Sequence, residues 1–123
     1  MAAPLVELTD PASVDRAARA LFGSRLDTRP AVSHSFAAWK AEPDSPLTTI
    51  KINEHGPKSD LDFLALHIAR ARADAIIITG KILRDEPALT FDLRADPRWD
   101  DALVQWRTRR WGLLDPPWLL ILT

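Results

Sequence analysis

Asn53-Glu-His-Gly-Pro-Lys-Ser-Asp-Leu-Asp-Phe-Leu-Ala-Leu-His-Ile-Ala-Arg-Ala-Arg-Ala-Asp-Ala-Ile-Ile-Ile-Thr-Gly-Lys-Ile-Leu-Arg-Asp-Glu-Pro-Ala-Leu-Thr90 reads as turn, helix, buried strand, glycine turn and short helix. His55-Gly56-Pro57 is a breaker cluster. Ser59 or Asp60 can cap a helix by accepting backbone N–H bonds. Leu61, Leu64, Ile68 and Ala71 then recur at helical spacing, and Arg70 and Arg72 come near the end, where cations suit the helix dipole. Ala75 to Ile78 is an unbroken apolar run with three isoleucines. Such a run predicts a strand covered on both faces, as in a parallel sheet. Thr79-Gly80 ends it, and Lys81 to Glu86 reads as a new helical turn before Pro87.

A strand that passes through glycine into a helix N-terminus is a recurrent way to meet phosphate, because free N–H groups and the dipole attract the anion. One glycine is not a dinucleotide fingerprint, and most such turns only connect elements.

Gly56-Pro57, the run Arg70-Ala71-Arg72-Ala73-Asp74-Ala75-Ile76-Ile77-Ile78 and the run Arg84-Asp85-Glu86-Pro87-Ala88-Leu89-Thr90 follow one another in order. Together they resemble the C-terminal reductase domain of the bacterial bifunctional riboflavin-biosynthesis deaminase–reductase family. The likeness begins near Arg29-Pro30 and fades after Thr90. It implies an α/β, partly dihydrofolate-reductase-like fold, a mostly parallel sheet with flanking helices, and the use of NADPH. The implied substrate is a phosphorylated, ribosylaminopyrimidine-type compound. By the same resemblance, Arg70 and Leu89 fall at substrate positions, and Thr79, Gly80, Lys81 and Asp85 at cofactor positions. The sequence also departs from the family. Its Ser-x-Asp-Gly motif would fall on Trp39, Lys40, Ala41 and Glu42, and none of these match. The glycine turn is one residue shorter, and Asp92 stands where many members carry arginine. The family's second half, with the glycine pair that grips the pyrophosphate, has no counterpart here.

The 123 residues suit one small domain. Residues 1–28 are expected to be an arm and accessory helix, and 29–123 a partial reductase-like domain. Apolar residues at 46% and charged residues at 27% are ordinary for a soluble globular chain. A net charge of -1 advertises neither nucleic acid nor an anionic membrane. With no cysteine, disulfides, thiolate catalysis and cysteine-held metals are excluded. No apolar run approaches the roughly 20 residues needed to span a bilayer, and a cytoplasmic location is expected.

In chain order, Met1 to Leu8 reads as a loose arm. Asp10-Pro11 opens a helix with Val14, Ala17, Ala18, Leu21 and Phe22 as its stripe, and Gly23 stops it. Arg29 to Ala38 alternates as a strand with Val32, His34 and Phe36 on one face, and is expected to be parallel to Ala75–Thr79 and Trp118–Leu122. Leu47 to Ile52 reads as strand or extended loop. Asp96-Pro97 repeats the cap-and-proline start, with Trp99, Leu103 and Trp106 on one face of the helix that follows. That Arg/Trp-rich helix could stack bases, but its acidic start favours packing. Trp118 to Leu122 reads as a second buried strand, parallel to Ala75–Thr79 and reached through helices.

Side-chain chemistry is sparse. Asp85 and Glu86 are adjacent and do not share a helix face. His34, His55 and His67 lack zinc-ligand spacing, so no metal is expected. Two functions follow. One is an NADPH-dependent reductase, with the nicotinamide supplying the hydride. The other is a non-catalytic, truncated or degenerate relative acting as an association module. The strand at Trp118–Leu122 is expected to bury its edge against another copy or a missing-half partner. NADPH binding is expected to be weak, around the millimolar scale, and Leu61→Lys to unfold the chain.

Overall fold

The computed structural model describes residues 7–28, 32, 38–49, 59–94 and 96–123. Most of the expected strand Arg29–Ala38 and the His55-Gly56-Pro57 breaker lie outside these residues. Val32, which is described, is 95% exposed and so does not line a buried face.

Helix α1 spans Pro11–Phe22. Asp10 caps it by accepting from the Ser13 N–H at 2.7 Å, and Ser13 Oγ accepts in return from the Asp10 N–H at 3.2 Å. Both donors would otherwise be orphaned at a helix start. Gly23, at φ 57°, ends it in a conformation that disfavours side chains, and a 3-10 turn at Gly23–Asp27 follows. Helix α2 spans Asp60–Arg72, with Ser59 accepting from the Asp62 N–H at 3.2 Å. The short helix α3, Gly80–Asp85, and helix α4, Asp100–Trp111, complete the helices among the described residues. Helix α4 starts later than Asp96-Pro97 predicts. The Asp96 carbonyl accepts from the N–H groups of Trp99 and Asp100 at 3.2 and 3.0 Å, which makes a separate turn before the helix. Gly112, at φ 67°, closes the far end.

Two small sheets are present among the described residues. Strand β1, Ala38–Trp39, pairs antiparallel with β2, Thr48–Thr49. The described part of the expected first strand therefore belongs to a hairpin and not to the parallel sheet. Strand β3, Ala75–Thr79, pairs in parallel with β4, Trp118–Leu122, with Ala75 opposite Trp118 and Thr79 opposite Leu122. This parallel pair, joined through α3 and α4, is as the two apolar runs predict, and the chain is mixed α/β.

The core is helical. Val14 and Ala18 of α1, Leu64, Ile68 and Ala71 of α2, and Ala102, Leu103 and Trp106 of α4 meet there, with Leu8, Leu26, Leu93 and Trp99 from the connections. Each large side chain of this set contributes roughly 1.5–3 kcal/mol on leaving water. Leu8 is thus no part of a loose arm; its N–H also donates to the Arg98 carbonyl at 3.2 Å. Leu61 is not on the buried stripe of α2, being 51% exposed, and His67 takes that place. The stripe is Leu64, His67, Ile68 and Ala71, which follows helical spacing as well as the expected set does. No described helix is long and apolar enough to cross a membrane.

No residue of β3 or β4 belongs to the core cluster. Ile78 alone in this sheet is buried, while Ile77 on the opposite face is 61% exposed. The expectation that both faces of β3 are covered is therefore corrected: one face is open.

Candidate functional site

The turn from β3 into α3 holds the expected cofactor positions. Thr79 caps α3, its hydroxyl accepting from the Ile82 N–H at 3.4 Å. Gly80 lies against the end of β4. A Cβ there would come within 3.3 Å of Arg84 Nη1 and 3.8 Å of the Leu122 carbonyl oxygen. Lys81 and Asp85 do share a side of α3, as residues four apart should, and form an exposed ion pair. Exposed pairs of this kind contribute little.

The expected substrate positions sit elsewhere on the chain. Arg70 is half-buried near the end of α2. Its Nη1 donates to the Thr90 carbonyl at 3.2 Å, and its guanidinium lies 5.2 Å from the centre of the Phe91 ring. Burial pushes the guanidinium below its ordinary value. Leu89 is half-buried, with its N–H bonded to the Glu86 carbonyl at 3.0 Å. Arg70 and the segment around Leu89 thus come together through Thr90 and Phe91. The described hydrogen bond of Arg70 anchors the segment after α3, and that of Lys81 stays within α3. Among the described residues no group of three His, Asp or Glu side chains could hold a metal.

The open sheet is the second feature. All five residues of β4 are large and apolar, and all are between 40% and 77% exposed. In the observed register Ile77 shares a face with Trp118, Leu120 and Leu122, while Ile76 and Ile78 share the other with Leu119 and Ile121. The first face is the more open. Sequence spacing signals the strand and its hazard as an edge; the helical core that leaves it uncovered is not visible in the sequence.

Arg107 is a residue that sequence reading misses. It is 3% exposed. Its Nε donates to the Asp115 carbonyl at 2.8 Å, and Nη1 donates to the carbonyls of Ala71 at 2.9 Å and Ala73 at 2.5 Å. One cation therefore satisfies the end of α2 and ties it to the segment that leads into β4. The signal was its spacing: Leu103, Trp106 and Arg107 fall at i, i+3 and i+4. The Trp118 N–H adds a bond to the Asp74 carbonyl at 3.0 Å.

A shallow groove of about 330 Å³ lies between α1 and α4. Three of its charged residues, Asp15, Arg19 and Arg110, are engaged in ion pairs. Arg19 pairs with Asp15 at 3.0 Å and Asp27 at 3.1 Å, and Arg110 meets the same two carboxylates. Trp106 Nε1 donates to Asp15 at 3.1 Å. Burial raises the Asp15 carboxyl, but the hydrogen bonds from Trp106 and Arg19 outweigh it and hold the group below its ordinary value. The groove clasps two helices. Trp99 and Trp106, which could have served as stacking platforms, point into the core.

Comparison with known protein families, with curated proteins and with solved structures finds no match to this chain.

Proposed function

We propose that the chain acts as an association module whose β3–β4 sheet is completed by a strand from another polypeptide. The exposure of all of β4 carries this reading. A flat, uncharged, apolar edge strand is a template for pairing, and proteins that do not use such an edge blunt it with charge, proline or a covering element. Here Trp118 to Leu122 contains no charge, and its prolines, Pro116 and Pro117, precede the strand. The test is made at the lowest workable concentration, where any self-association has dissociated. The chain should then bind an apolar-surface dye, and the amides of β4 that do not bond to β3 should exchange freely. A monomer that binds no dye and protects those amides covers the sheet with its own chain, and that result overturns the reading.

A second reading has one observation in its favour. In open parallel sheets, ligands sit beyond the carboxyl ends of the strands. Thr79 and Leu122 end β3 and β4 side by side, and Thr79-Gly80-Lys81 follows there. In this reading the two strands are neighbours in a dihydrofolate-reductase-like sheet. NADPH would lie near Thr79, Gly80, Lys81 and Asp85, a phosphorylated pyrimidine substrate near Arg70 and Leu89, and the chain would be a reductase. The Lys81–Asp85 pair is weak enough for a phosphate to displace. An NADPH titration followed by amide shifts decides it. Shifts confined to residues 79–85, weakened by Lys81→Ala, support the reductase; no response up to about 5 mM, roughly 3 kcal/mol of binding, removes it. Both readings go with the expected cytoplasmic location, which cell fractionation checks.

A further inference from the structure

Resting on the association reading, we propose that the strand completing the sheet is β4 of a second copy of this chain. The two β4 strands run antiparallel, with the two-fold axis through Leu120.

The backbone fixes which groups are free to pair. The Trp118 N–H donates to the Asp74 carbonyl, so the polar groups of Trp118 point at β3. Successive residues of a strand alternate in direction. Leu120 and Leu122 therefore also turn their N–H and carbonyl groups towards β3, and Leu119 and Ile121 turn theirs to the outer edge, which no described strand pairs. Within β4 an antiparallel partner can bond only to these two. With the axis at Leu120, Leu119 of one copy meets Ile121 of the other, and the reverse. Both are pairs of outward-pointing residues, and each pair exchanges two hydrogen bonds. Leu120 meets its own counterpart as a non-bonded pair, the kind in which side chains approach most closely, at about 4.5 Å between Cα atoms. Trp118 meets Leu122. The axis at Leu119 or Ile121 also satisfies the alternation but aligns fewer of the strand's residues.

Side-chain chemistry agrees with the geometry. Every contact in this register joins two apolar residues, so no charge is buried and none faces its like. Pro116, which cannot donate, lies outside the paired stretch, and Pro117 at its margin. The more open faces of the two sheets, with Ile77, Trp118, Leu120 and Leu122, become one continuous apolar surface across the axis. An isologous contact of this kind closes on itself as a dimer and does not propagate.

Because the chain has no cysteine, a single introduced thiol reports the register. Leu120→Cys should form a disulfide-linked dimer under mild oxidation, since the expected Cα separation lies within disulfide range. Trp118→Cys should not: the two thiols would sit four residues apart along the strands, on the order of 13 Å. The linked fraction for position 120 should exceed that for 118 by about tenfold or more, given the geometric limits on the bond. In the unmodified protein, sedimentation should show a monomer–dimer equilibrium. As concentration rises, the amides of Leu119 and Ile121 should gain protection while those of Leu120 and Leu122 change little. A dimer that links better at 118, or that protects neither Leu119 nor Ile121, overturns this inference and leaves the association reading standing. A dye-binding monomer at every concentration overturns the second copy as partner. A monomer with β4 already protected and no dye bound removes both.

Discussion

Arg107→Met removes the clasp between the helical core and the sheet while keeping most of the side-chain volume. Three carbonyls, of Ala71, Ala73 and Asp115, lose a charged donor. A hydrogen bond to a charged group contributes roughly 1.5–3 kcal/mol, which would sum to as much as about 9 kcal/mol if the three were independent. Two effects reduce that sum. The Asp115 carbonyl lies in an exposed segment and can turn to water. Removing the guanidinium also removes the cost of burying a cation, which runs to several kcal/mol. What is left is chiefly the Ala71 carbonyl, buried beside the core and without its donor, at about 1–3 kcal/mol, together with looser attachment of β4. The expected loss is about 3 kcal/mol, a large share of the roughly 5–15 kcal/mol that stabilises an ordinary domain. Urea unfolding at low protein concentration, followed by circular dichroism, measures it. Arg107→Lys keeps the charge but cannot reach three acceptors at once, and should recover less than half. A loss below about 1 kcal/mol for the Met variant, within the range of an ordinary surface change, would refute the reasoning.

Acid should weaken the fold in two separate steps. Burial holds His67 below its ordinary value, partly offset by its bond to the Phe63 carbonyl; Arg70 adds to the lowering, and Asp96 and Asp100 oppose it. The unfolded chain therefore takes up this proton first. Stability should be full above about pH 7 and fall from about pH 6.5 downwards, by at most about 1.4 kcal/mol per pH unit. His67→Phe should flatten that limb, and an unchanged slope in urea melts across it would contradict the assignment. Asp96, held low by its bonds from Arg98, and Asp10, held low by the Ser13 N–H, lose their contributions only in the more acid range below the usual aspartate value of about 3.9. Trp106→Ala should cost about 3–5 kcal/mol, because a fully buried indole and its bond to Asp15 are both lost; a change under about 1 kcal/mol in the same melts would place Trp106 outside the core. Leu61→Lys should shift stability by no more than about 0.5 kcal/mol, and unfolding by this change would mean that Leu61 is covered.

The parts of the fold legible in the sequence were those set by local rules. Asp10-Pro11 and Gly23 bracket α1, and Ser59 starts α2, because caps are decided within a few residues. Two short apolar runs separated by helical patterns gave the parallel β3–β4 pair. The misreadings came where tertiary context decides. Leu61 and His67 are both compatible with a helical stripe, and the side of α2 that meets Trp99 is the one that carries His67. Arg107 looks like a surface cation until the ends of α2 and α4 are brought together. Asp96-Pro97 carries a cap signature, yet its carbonyl makes a turn ahead of the helix. The Lys81–Asp85 pair follows from spacing alone. Whether Arg70 serves a ligand does not, since its guanidinium is already bonded to the segment that follows α3.

The separation between core and sheet bears on the order in which the molecule opens. Helices α1, α2 and α4 share one cluster of buried side chains and should exchange their most protected amides together, by the global route. Sequence separation does not set this order, since Ala75 and Trp118 pair across a shorter stretch of chain than the one that separates Asp15 from Trp106. The link between sheet and helices is narrow: Arg107 bonds the end of α2 and the segment before β4, and Ile78 is the one buried residue of the sheet. The sheet is therefore a separate, weaker cooperative unit, able to unzip while the helices stay folded. A second copy that pairs with β4 would then act on this local step, by holding the sheet zipped.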